Sequence, residues 1–180
     1  MQTPRRSFLV LLGLGVVHVA LASGGAAVAR HPEPVRPDPV ATLEADLRTS
    51  LAQTPTVITR VGADLHLTFP VRLAFVPDQL QLLAGATGML DALAEALRPA
   101  EHTRVSIAVY TDAIGSGDYN ALQSRNRATV VLEYLVNRGL PLERCALGAG
   151  GESAPLRAPN TPEGRDLNRR LELTISALSS

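Results

Sequence analysis

Val105-Ser106-Ile107-Ala108-Val109-Tyr110-Thr111-Asp112-Ala113-Ile114-Gly115 is the stretch whose reading decides the fold. Val105, Ile107 and Val109 alternate with Ser106 and Ala108, the period-two pattern of a strand with one buried face. Residues 110–117 then read as a loop, with Gly115 and Gly117 as turn residues. Helical spacing follows over residues 118–138, where Gly139 stops the helix and Pro141 confirms the stop. Upstream, Asp78 opens a second helical pattern whose stripe is Leu83, Ala86, Leu90, Leu93 and Leu97, ended by Pro99. Before it, Leu65, Leu67, Phe69, Val71, Leu73 and Phe75 alternate with His66, Thr68 and Arg72. Gly62-Ala63-Asp64 offers a turn back to residues 57–61, so a hairpin is expected, with a break or an edge at Pro70. Leu43, Leu47 and Leu51 suggest a short amphipathic helix in a connector over residues 41–56. Downstream, residues 142–147 read as a third strand, 148–164 as a Gly- and Pro-containing loop, and Leu171, Leu173 and Ile175 as a final strand. Strands alternating with two long helices predict an α/β sandwich, a small sheet covered on one face by helices.

Residues 1–29 read as an address and not as fold. Arg5 and Arg6 precede a charge-free run from Phe8 to Ala22, and Ala20-Leu21-Ala22 or Ala27-Val28-Ala29 supplies a small-x-small cleavage pattern. A cleaved export signal is expected, an uncleaved N-terminal anchor being the alternative and the only membrane contact foreseen. Arg5-Arg6-Ser7-Phe8-Leu9 also resembles a twin-arginine signal, so two export routes stay open. Four prolines, Pro32, Pro34, Pro37 and Pro39, make residues 30–40 an extended spacer.

The chain has 180 residues, 17 Lys+Arg against 17 Asp+Glu, and one cysteine. All 17 basic residues are arginine. Without lysine there is no Schiff base and no P-loop cradle. A formal net charge of zero argues against nucleic-acid binding, which needs a basic excess. Cys145 alone excludes an intrachain disulfide framework and a multi-cysteine zinc site, and it reads as a buried apolar residue. No metal and no cofactor is expected.

Asp112 lies at the end of a strand, where α/β sheets gather ligands. Asn120, Ser124 and Arg127 fall at i, i+4 and i+7 on the following helix and share a stripe beside Ala128, Val131 and Leu135. An acid, an arginine fork and helix-start N–H groups in one cleft suit a zwitterion: Asp112 for an ammonium, Arg127 and the helix end for a carboxylate. The competing reading makes Asp112 a turn former or cap and Arg127 a solvated or acid-paired flank residue.

Thr111-Asp112-x-x-Gly115, Tyr119-Asn120, Ser124-x-x-Arg127-Ala128, Tyr134-Leu135 and Gly139 resemble the OmpA-like peptidoglycan-binding domain family. So do Gly151-Glu152-Ser153-x-Pro155, Asn160, Glu163-Gly164-Arg165, Asn168-Arg169-Arg170 and Glu172, with Phe75 matching the phenylalanine ahead of the first helix. The resemblance covers roughly residues 65–176 and implies such a domain over 57–178, with a mixed sheet of βαβαβ type. It implies non-covalent binding of peptidoglycan in the periplasm, through the meso-diaminopimelate of the stem peptide, by a protein that is not an enzyme. Asp112 and Arg127 match the family's ligand-gripping pair, and Thr111 and Asn120 match pocket-lining positions. Arg165, Asn168 and Arg170 match the late motif, with Arg170 or Asn168 expected to brace the cleft wall. Two positions depart from the pattern: Val109-Tyr110 stands where Gly-His or Gly-Tyr is common, and Gln123 where leucine often precedes the serine.

Rival readings are an enzyme, a flagellar-stator-like protein and a partner-binding component of an envelope machine with weak wall binding. No Gly-x-Ser-x-Gly elbow occurs, and His18, His31, His66 and His102 are scattered; Glu152 and Glu163 imitate a glycosidase pair only in flanking a loop. A stator needs a proton-carrying acid in its membrane helix, and residues 7–29 hold none. An envelope protein partner stays open.

Overall fold

The computed structural model describes residues 38–112, 114, 116–151, 155–158 and 161–178. The expected export segment, most of the spacer, and Gly115, Glu152, Ser153 and Asn160 of the family motifs lie outside the described residues.

Strands β1 (Val57–Val61), β2 (Asp64–Pro70), β3 (Thr103–Tyr110), β4 (Cys145–Leu147) and β5 (Arg170–Ala177) form one sheet in the order β1-β2-β5-β3-β4. β1/β2, β2/β5 and β5/β3 are antiparallel and β3/β4 is parallel, so the sheet is mixed. Register aligns three apolar rows: Leu65, Ile175 and Val105; Leu67, Leu173 and Ile107; Phe69, Leu171 and Val109. All nine side chains are buried, and their alternates His66, Thr68, Ser106, Glu172 and Thr174 carry the polar face.

Helices α1 (Pro39–Ser50), α3 (Ala84–Leu97) and α4 (Gly117–Asn137) bury their stripes in the core on the apolar side. α1 contributes Val40, Leu43 and Leu47, with Leu51 at its C-cap, so three helices cover the face where two were expected. α4 ends in a Schellman motif, Leu140 N–H donating to the Leu135 carbonyl and Gly139 N–H to Val136, with Gly139 at φ 92°.

Four local expectations need correction. The break expected at Pro70 does end β2, but the alternation read on through Val71, Leu73 and Phe75 is not strand: Val71–Ala74 forms a one-turn helix, α2, and Val71 N–H donates to the Arg169 carbonyl at 3.0 Å. Asp78 does not open α3. It sits in a tight loop at φ 57°, tied by the Phe75–Leu82 bridge, and the helix begins at Ala84. Residues 142–147 are a 3-10 turn (Leu142–Arg144) followed by the short β4, and Cys145 is half-buried, its thiol pKa pushed up by burial. The loop expected over residues 148–164 gives way at its end to a helix, α5 (Pro162–Asn168), started by Thr161 Oγ1 accepting from Gly164 N–H at 3.0 Å with proline in the first turn.

Candidate functional site

The inward stripe of α4 changes character along its length. Ala128, Val131 and Leu135 are apolar, but one and two turns earlier the buried positions are Ser124 and Asn120. The N-terminal half of α4 therefore meets the sheet through polar groups, and a cleft of about 150 Å³ opens there. Thr111, Asp112, Asn120 and Arg127 all line it, together with Asp78, Tyr119, Gln123 and Arg169.

β3 delivers Thr111 and Asp112 beyond its last paired residue. The chain after β4 continues the parallel edge: Gly151 N–H donates to the Val109 carbonyl and Thr111 N–H to that of Gly151, both at 3.0 Å. Gly150 permits this approach, since a Cβ there would collide with the Val109 carbonyl. Asn120 then fixes the loop, its Nδ2 donating to the Ile114 carbonyl at 3.0 Å and the Asp112 carbonyl at 3.4 Å.

The two charged positions singled out by sequence are treated very differently. Asp112, whose side chain is 12% exposed, accepts from Arg169 Nη1 on Oδ2 at 2.6 Å. Arg169 Nη2 also donates to Asp166 Oδ1 at 2.8 Å, and Asp166 Oδ2 accepts from Arg72 Nε at 2.9 Å. Burial works against the Arg169 charge, but hydrogen bonds to Asp166 and Asp112 outweigh it and hold the guanidinium above its ordinary pKa. The Arg169 hydrogen bond pulls the Asp166 carboxyl below the usual carboxylate range. Arg127, by contrast, has no ion pair among the described residues. Its guanidinium lies 5.5 Å from the Phe75 ring centroid, and its buried Nε has no hydrogen-bond partner. Thr111 Oγ1 is a second buried atom without a partner in the same cleft. Orphaned donors of this kind are uncommon in folded proteins and mark places where a ligand or water completes the bonding.

The late-motif residues surround the cleft at one remove. Arg170 is on the sheet's polar face, 4.0 Å over the Tyr110 ring, with Nε donating to Glu172 Oε1 at 2.6 Å and Nη1 to the Asn168 carbonyl at 3.2 Å. Tyr110 lies between Arg170 and the cleft, and burial raises its pKa. Asn168 Oδ1 accepts from Leu156 and Arg157 N–H at 2.8 and 3.1 Å, and its Nδ2 donates to the Arg157 carbonyl. Arg165 is half-buried in α5, its carbonyl accepting from Arg169 N–H. Val109 is in the core, and Gln123 borders the cleft.

Arg169 is the cleft residue that reasoning from spacing missed. It adjoins the strand whose register sets Arg170 opposite Tyr110, which brings position 169 level with Thr111, but only the sheet order reveals it. Arg144, 8% exposed, was equally silent; it donates to the carbonyls of Thr103, Leu97 and Ala100 at 2.7–2.8 Å, far from the cleft in sequence and outside its lining. Among the described residues no His, Cys, Asp and Glu cluster could hold a metal, and no helix is long and apolar enough to cross a membrane.

A mixed sheet with helices on one face, and a cleft with an acid and arginines at the end of a central strand, define a small α+β domain built for ligand recognition. The chain belongs to the OmpA family, whose sequence profile matches residues 74–169. It is 31% identical over 135 residues to the probable lipoprotein YiaD of Escherichia coli, covering 75% of this chain and 62% of YiaD. It is 36% identical over 104 residues to the peptidoglycan-binding protein ArfA of Mycobacterium tuberculosis, covering 58% of this chain and 32% of ArfA. The chain thus spans less than two thirds of either relative. The fold is shared with a putative MotB-like protein from Desulfovibrio vulgaris at TM-score 0.68 and 22% identity, covering 78% of this chain and 92% of that one. The cell wall anchor of the T6SS from Pseudomonas aeruginosa superposes at TM-score 0.64 and 22% identity, covering 75% and 96% of the two chains.

Proposed function

We propose that this protein is a non-catalytic anchor that binds peptidoglycan in the periplasm and tethers an envelope component to the cell wall. The observation that carries the reading is the unpartnered Arg127 Nε in a cleft that also holds the Asp112 carboxylate. The ligand is the meso-diaminopimelate side chain, which ends in an amino group and a carboxylate on one carbon. Its carboxylate takes the Arg127 fork, and its ammonium takes Asp112 Oδ1, the oxygen left over when Oδ2 accepts from Arg169. Thr111 Oγ1 supplies a further hydrogen bond. Arg169 holds the Asp112 carboxylate in place, and Asn120 fixes the loop that presents it. Similarity to the peptidoglycan-binding protein ArfA and membership of the OmpA family support a wall ligand. The basic and apolar residues 5–22 support an exported location, where a wall ligand is within reach.

The full chain is expected to sediment with isolated diaminopimelate-type peptidoglycan, and Asp112→Ala or Arg127→Ala to remain in solution. Each substitution leaves one ligand charge unpaired in a partly desolvated cleft, a cost of about 2–5 kcal/mol. If both variants sedimented like the parent, the assignment of this cleft would be wrong. Release of soluble muropeptides during the incubation would instead reveal an enzyme.

A further inference from the structure

α4 has a second flank. Tyr119, Gln123 and Arg127 border the Asp112 cleft, whereas Ala121, Arg125 and Ala128 face the strip of chain at residues 147–150 across a separate cleft of about 210 Å³. Glycine lets the strip lie close against β3: a Cβ at Gly148 would stand 2.8 Å from Ser106 Oγ, and one at Gly150 would collide with the Val109 carbonyl. The floor carries Ser124, which is 2% exposed, and its Oγ has no hydrogen-bond partner. Burying a hydroxyl without a partner costs stability, so its retention points to a partner that arrives from outside. Arg125 stands exposed at the rim with no ion pair among the described residues.

We propose that this cleft is a second binding pocket, for a short aliphatic carboxylate of the kind a C-terminal alanine presents. The guanidinium of Arg125 offers two parallel N–H donors, the geometry that a carboxylate matches. A single cation is too little for a phosphate dianion, which gathers several. Ala121, Ala128 and Ala149 leave space for a methyl group and no aromatic face on which a sugar could stack. Ser124 Oγ donates to the carboxylate or to the carbonyl before it. The end of a peptidoglycan stem peptide is one source of such a group, and that part rests on the wall-binding reading; the carboxylate chemistry does not.

The test is a titration of the ¹⁵N-labelled full chain with N-acetyl-D-alanine, using N-acetyl-D-alanine amide as the uncharged control. The acid is expected to shift the amides of Ala121, Arg125 and residues 147–149 saturably, and the amide to leave them unmoved. Arg125→Gln, on an exposed helix position, should weaken the acid at least about tenfold, the worth of a charge-assisted hydrogen bond. Ser124→Ala should weaken it too while raising Tm, because the orphan hydroxyl is gone. Free meso-diaminopimelate is expected to move a different set, residues 110–112, and to leave the titration by the acid unchanged. The two readings therefore fail separately. Equal response to acid and amide, full affinity in Arg125→Gln, or shifts confined to residues 110–112 would each overturn the pocket.

Discussion

Two arginines, one that the sequence singled out and one that it did not, are handled in opposite ways. Arg144, in the turn before β4, donates to three backbone carbonyls and to Thr103 Oγ1, closing the end of α3 against the start of β3. Arg127, on α4, keeps a buried Nε with no partner and rests its guanidinium against Phe75. The first is a staple whose Nε and Nη2 are committed to the fold. The second holds unspent donors at a cleft mouth, which folding alone does not reward. Donors committed to backbone carbonyls hold the fold, and an unpartnered buried donor is what the proposed ligand site requires.

That contrast can be broken by substitution. The largest effect is expected for Arg127→Ala, which should lose up to about 5 kcal/mol of peptidoglycan binding while its Tm stays close to the parent's, since no hydrogen bond is removed. Arg127→Lys should recover only part of the affinity, because an ammonium cannot match a carboxylate with two parallel bonds. Co-sedimentation and a thermal melt on the same samples check both statements. Arg144→Ala should show the reverse pattern, a stability loss of about 3 kcal/mol from buried carbonyls left without donors, with unchanged binding per folded molecule. Equal Tm losses for the two variants would erase the distinction. The smallest effect concerns Asp166, which sits between Arg169 and Arg72 in the Asp112–Arg169–Asp166–Arg72 chain. Its folded pKa is depressed, so its contribution is present above the unfolded carboxylate value of about 4 and fades as pH falls through the lower folded value. Asp166→Asn should leave a difference in Tm at pH 6 that shrinks toward zero below about pH 4, and it should amount to a few tenths of a kcal/mol because the pair is well exposed.

Much of this was open to reading in the chain. The alternation at Val105, Ile107 and Val109, the stripe of α4 and its Gly139 stop are strong periodic signals, and each became the expected element. Thr111, Asp112, Asn120 and Arg127 line one cleft, and a strand end and the helix that starts soon after it can be placed by spacing alone. The errors fall where local pattern and tertiary demand diverge. Val71, Leu73 and Phe75 continue the alternation of β2, yet Pro70 ends the ladder and a helical turn follows. α5 has seven residues and no apolar period, so its Thr161-Pro162 start was the available sign of it. Arg169 reaches Asp112 across 57 positions, a distance that only the pairing of β3 with β5 collapses.

The start of α1 has a mechanical meaning. Asp38 caps the helix by accepting from Val40 N–H at 2.9 Å and binds Arg60 of β1, and behind it Val40, Leu43, Leu47 and Leu51 are sunk in the core. A pull on the chain ahead of Asp38 enters the folded unit at this latch. To peel the helix away it must first part the ion pair and then expose the four side chains in turn, each holding by about 1.5–3 kcal/mol. If the protein anchors as proposed, its strength under load depends on this attachment, which is a buried helix and not a loop.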